Sequence, residues 1–177
     1  MRWYGLGLAL LLLGGCGAGG GNGVVAAEDA QLGADRVLLD TRFNTTVGGV
    51  RRAVQLADSM YMFEDSATAQ LFGVRLMMYD TLGNRTADLR SERGAANQRT
   101  QMMLARGNVV LVLADGRRIE SEELSYDPST HRIWSDVFTR MTWPDGRVTT
   151  FQTFTVDDEF RNPSGTGLRG QVPGLTL

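Results

Sequence analysis

From about Val37 onward, apolar and polar residues alternate in short runs punctuated by Gly, Asp and Asn, and no stretch keeps the 3.6-residue period of an amphipathic helix. The pattern predicts an all-β chain. Val74, Leu76 and Met78 alternate with Arg75, Met77 and Tyr79, while Ile119 to Tyr126 and Arg132 to Phe138 alternate less cleanly. Val109 to Leu113 (VVLVL) is apolar at every position, as expected of a strand covered on both faces or lining an apolar groove.

Turn signals recur. Asp80-Thr81-Leu82-Gly83, Asp115-Gly116 and Asp145-Gly146 each close one strand and open the next. Laid out from Gly49, Gly83, Gly116 and Gly146, the chain forms units of roughly thirty residues that begin GVRRAVQLAD, GNRTADLRSE, GRRIESEELS and GRVTTFQTFT. Gly73-Val74, Gly107-Asn108-Val109 and Asp136-Val137 correspond as mid-unit markers. A repeated two-strand unit cannot bury its apolar face alone, so the units must stack on one another. Stacking leaves an unpaired strand at each end, placed at Val37 to Phe43 and at Thr166 to Val172. Such edges are either blocked or used to pair with a partner, and Val37, Leu39, Thr166, Leu168 and Val172 are the candidate partner positions.

The N-terminus departs from this pattern. Arg2, the apolar run Leu6 to Leu13 and the small residues Gly14 and Gly15 before Cys16 read as an export signal, and the run is far shorter than the roughly 20 residues a spanning helix needs. Leu13-Gly14-Gly15-Cys16 is similar to a bacterial lipobox, whose cysteine is acylated. The chain's only cysteine then has a role that needs no disulfide partner. Gly17 to Gly23 reads as a flexible tether. The expected organisation is a signal at 1–15, an acylated Cys16 with linker to 36, and one domain over 37–177, with membrane attachment through the lipid anchor.

A net charge of −2 and a pI near 5.4 leave no global positive field for nucleic acid or an acidic membrane, and no nucleic-acid partner is expected. All cations are arginine, which codon bias explains as well as a demand for bidentate anion contacts. His131, the sole histidine, sits in the turn-like DPSTHRIW, so no histidine triad or two-histidine metal site can be assembled. Glu122-Glu123 and Asp157-Asp158-Glu159 are adjacent residues, which point to opposite faces of a strand and do not converge. No enzyme activity and no cofactor is expected. Trp134 and Trp143 fall on predicted strands, as core or as ligand-stacking residues. Met60, Met62, Met77, Met78, Met102, Met103 and Met141 supply soft apolar surface suited either to core filling or to acyl chains between two sheets.

Two longer stretches, GVRLMMYDTLGNRTADLRSE and ARGNVVLVLADGRRIESEELSYDPSTHRIWSD, resemble the LptC family, the periplasmic component of the lipopolysaccharide exporter. The matching residues are Tyr79, Asp80, Gly83, Ala87 and Leu89, then Gly107 to Val109, then Asp115, Gly116, Ile119, Ser121, Glu122, Leu124, Tyr126 and Asp127. The resemblance extends from about Gly49 to Gly170. It implies a twisted antiparallel β-jellyroll of repeated hairpins, open along one side, whose apolar interior carries lipopolysaccharide acyl chains. It also implies docking to the exporter's membrane subunits at the N-terminal edge and to the soluble periplasmic bridge protein at the C-terminal edge. The expected location is the periplasm, lipid-anchored to the inner membrane. The candidate groove residues are Leu56, Val74, Leu76, Met78, Leu89, Met103, Val110, Val112, Leu124, Ile133 and Phe138. The alternative is a structural lipoprotein of the periplasm or outer membrane that couples partners by edge-strand pairing without carrying lipid.

Overall fold

The computed structural model describes residues 33–171, and every regular element in it is a strand. The long strands come first: β1 (Arg36–Val47), β2 (Val50–Phe63), β3 (Thr68–Tyr79), β4 (Arg85–Asn97), β5 (Met103–Leu113) and β6 (Arg118–Asp127). Shorter ones follow: β7 (Arg132–Ser135), β8 (Thr139–Thr142), β9 (Val148–Phe151), β10 (Thr153–Asp157), β11 (Ser164–Thr166) and β12 (Arg169–Gln171). All twelve belong to one antiparallel sheet, in agreement with the expected all-β jellyroll. The predicted signal, Cys16, the glycine tether and Val172 lie outside the described residues.

The sheet is creased along one line. β6 pairs with β7 through Ser125–Asp127 and with β8 through Arg118–Ser121, so β7 and β8 are halves of a single path interrupted at Asp136–Phe138. β10 and β9, and β11 and β12, divide in the same way at Gln152 and Gly167. In the long strands the same level is marked by the register shift between Arg106 and Val109, with Gly107 and Asn108 at φ of 75° and 46°, and by Gly73 at 62°. A bulge of this kind bends its strand and raises the local twist.

The hairpin repeat is visible in the backbone. Gly83, Gly116 and Gly146 have positive φ in the turns at one end, and Ala67, Gln101 and His131 at the other, each series at a spacing of roughly thirty residues. The first set is closed by an aspartate accepting from the residue two positions on: Asp80 from the Leu82 N–H at 2.8 Å, Asp115 from Arg117 at 3.0 Å, Asp145 from Arg147 at 3.1 Å.

The crease resets the side-chain alternation. Beyond it on one side, residues facing each other across the ladder run Met60, Leu71, Gly94, Ala105, Leu124; on the other they run Leu76, Leu89, Leu111, Ile119, Met141. In β4 the inward set changes from even numbers, Gly94 and Ala96, to odd ones, Leu89 and Ser91. Ala105 and Leu124 of the first set share one core with the second set, while Met60 and Leu71 form a smaller cluster of their own with Ala57 and Ala69. Phe154 and Ile133 from one half-sheet pack with Leu111, Ile119 and Met141 from the other, and the Phe151 and Phe154 rings meet edge-on at 5.3 Å across the crease. The creased sheet therefore folds over its own inner face.

At the far turns His131 stands 2.7 Å from Asp158 through Nδ1. That hydrogen bond, and then the Asp158 charge, raise the imidazole above its ordinary pKa. Because the folded pKa lies above the unfolded one, the contact's contribution is complete below the unfolded pKa and is lost as pH rises through the folded one. An NMR titration is expected to place His131 above free histidine, and Asp158→Asn to bring it back. An unshifted His131 would contradict the contact.

Candidate functional site

The space between the two halves of the sheet is the apolar feature of the fold, and its packing is graded. At the β5 to β10 end it is closed: Ile119 is 0 % exposed and Phe154 2 %. Toward β1 it loosens. On β3, Val74, Leu76 and Met78 are only partly buried, although Met60 and Leu71 across the crease stay buried; on β1 itself the inward positions, Leu38 opposite Met60 and Phe43 opposite Gln55, are 38 % and 44 % exposed. Small inward residues, Ala57, Ala69 and Ala105, keep the two halves close.

Polar groups along the inside of the crease bind one another. The Ser121 hydroxyl lies 3.1 Å from those of Ser135 and Thr139 and donates to the Glu123 carbonyl at 2.9 Å. Ser91 makes the equivalent bond to the Arg93 carbonyl at 2.9 Å. No buried side-chain nitrogen or oxygen among the described residues lacks a partner. The interior thus presents hydrocarbon with its hydrogen-bonding capacity already used, which suits an apolar chain better than a polar ligand.

Of the groove candidates, Val74, Leu76, Met78, Leu89, Met103, Leu124 and Ile133 sit on the inward face. Four positions are corrected. Leu56 faces outward opposite Arg75, because the alternation resets between it and the inward Met60. Val110 and Val112 face outward opposite Arg90 and Asp88. Phe138 is 62 % exposed at the crease, since the path ends at Ser135, whose hydroxyl bonds the Val137 carbonyl at 3.2 Å and competes with the ladder. Among the methionines, Met141 is core, Met77 faces outward and Met102 precedes β5.

Trp143 packs beside the core under the guanidiniums of Arg117 and Arg147, at 5.5 and 4.9 Å, and Trp134 lies outward under Arg132. The sequence did not single out Phe160, 4 % exposed, which plugs the end of the core; the Arg117 guanidinium donates to its carbonyl at 2.8 Å. Glu123 pairs with Arg106 at 2.7 Å, Asp157 with Arg161 at 3.0 Å, and among the described residues no three His, Cys, Asp or Glu gather to hold a metal.

β1 and the β11/β12 path are the outermost strands of the sheet. Val37 is half-buried on β1, Leu39 is 63 % exposed, and Thr166 and Leu168 are exposed at the other border. Both borders leave backbone groups unpaired within the sheet.

Among curated proteins no relative matches this chain. The profile of a family described as lipopolysaccharide-assembly, LptC-related matches residues 41–153, which takes in β1 from its midpoint through the first residue of β10 and so both inward faces. A creased antiparallel sheet with an apolar interior, together with that match over most of the chain, assigns it to the LptC-related family of lipopolysaccharide-assembly proteins.

Proposed function

We propose that this protein binds lipopolysaccharide and passes it from the inner-membrane exporter to the periplasmic bridge, acting as a carrier with no chemistry of its own. The observation that carries the reading is the graded interior, closed at β5 to β10 and loosening at β1, where Leu38 and Phe43 continue the inward face with much of their surface exposed. Acyl chains entering there would cover that surface at about 25 cal/mol per Å². The exposed borders at Leu39 and Leu168 suit strand addition by the exporter's membrane subunits and by the bridge protein. Acylated Cys16 would hold the domain at the periplasmic face of the inner membrane.

A photoreactive residue at Leu38, Phe43 or Leu76 is expected to capture lipopolysaccharide in cells, and one at Gln70, exposed on the outer face, is not. Capture at Gln70 alone would sink the carrier reading and leave a coupler that works only through its edges.

A further inference from the structure

We infer that the outer face of one half-sheet is a docking surface for a bilayer carrying anionic phospholipid headgroups. A net charge of −2 averages over the molecule and hides how its arginines are arranged. The register places Arg42, Arg75, Arg90, Arg140 and Arg169 on one row that crosses the sheet from β1 to β12, with Glu120 as its acidic member. At about 4.8 Å per strand the row is roughly 40 Å long.

The charge on this row is not cancelled by the protein. Arg75 and Arg90 stand directly opposite each other, a like-charge pair that costs stability in a sheet. Both reach for Asp88, at 2.8 and 3.7 Å, and Arg85 pairs with it as well, so a single carboxylate serves three guanidiniums. Arg118 takes Glu120 at 3.0 Å. Arg42, Arg140 and Arg169 are exposed and have no acidic partner among the described residues.

An extended anionic surface fits this face better than a point ligand. The cations are spread along the full width of a sheet, guanidiniums match phosphate bidentately, and outward Leu56 and Val110 lie on the same row as shallow apolar contacts, with Val112 beside it. The crease bordering the face carries Asp58, Glu92 and Glu122, all exposed, with Arg93 and Arg106 on the next row beyond it. The inference does not depend on whether the interior carries lipid.

The test is flotation of the full chain bearing Cys16→Ser with phosphatidylcholine vesicles, with and without phosphatidylglycerol; the zwitterionic vesicles account for any partitioning by the N-terminal segment. Binding is expected to favour the anionic vesicles and to fade toward about 0.5 M salt. The triple variant Arg42→Ser, Arg140→Ser, Arg169→Ser is expected to lose on the order of a hundredfold in that preference, at roughly fivefold for each arginine. The lysine triple at the same positions is expected to retain most of it. A control triple with the same change in net charge, Arg99→Ser, Arg132→Ser, Arg161→Ser, is expected to retain it too. Equal loss in the control, no preference for phosphatidylglycerol, or displacement from vesicles by single-stranded nucleic acid at matched phosphate would overturn the proposal. A failed carrier experiment with intact vesicle preference would leave it standing.

Discussion

Phe154→Ala is expected to lower the unfolding free energy by about 3–5 kcal/mol, read as a fall in the denaturant midpoint at unchanged slope. Phe154 is 2 % exposed, pairs opposite Ser135 and Gly165, and meets Phe151 edge-on at 5.3 Å. It sits where the two halves of the creased sheet close on each other, so truncation leaves a cavity that paired strands on both sides hold open. Phe43→Ala, on the same inward face but 44 % exposed, is expected to cost less than about 1 kcal/mol. Equal losses at the two sites would mean a uniformly packed interior and would remove the gradient on which the carrier reading rests.

The second large effect is expected at the crease. Gly107→Val should destabilise by about 2–3 kcal/mol in the same measurement. Gly107 has a φ of 75°, where a β-branched residue is strained, and a Cβ there would lie 2.6 Å from the Glu92 carboxylate and 3.1 Å from its Cβ. The next residue, Asn108, donates to Glu92 Oε1 at 2.5 Å, so the substitution also disturbs the contact that fixes the bulge. Glu92→Ala in the same background relieves the collision and leaves the backbone strain, and it is expected to recover only part of the loss. Gly170→Ala, where no atom lies within 4 Å and φ is not positive, should stay within about 0.5 kcal/mol of the parent.

The pH response of His131 belongs to the periphery by comparison. The imidazole is 71 % exposed, so its contact with Asp158 is a local marker of the far turns and not a support of the core.

Much of the fold was legible because its signals are local. Alternation at Val74, Leu76 and Met78 named strands, and Asp-Gly pairs named turns whose aspartate and glycine do the closing without help from the rest of the chain. The interior was legible only where one face was polar. In VVLVL both faces are apolar, so alternation has no phase, and the outward Val110 and Val112 could not be told from the inward Val109, Leu111 and Leu113. Leu56 differs for another reason: it and the inward Met60 lie on opposite sides of the crease, where the alternation resets.

The arginine row was invisible for a related cause. Its members come from separate hairpins and have no common spacing in sequence; only the register sets Arg42, Arg75, Arg90, Arg140 and Arg169 on one line. The sequence by itself determined the all-β class, the hairpin repeat and the positions of the turns, since period-two alternation and turn chemistry act between residues close in the chain. Tertiary structure decided which face of each strand is inside, where the interior closes, and which charges share a surface. Those follow from strand register and from the crease, which are fixed by contacts between residues far apart in sequence.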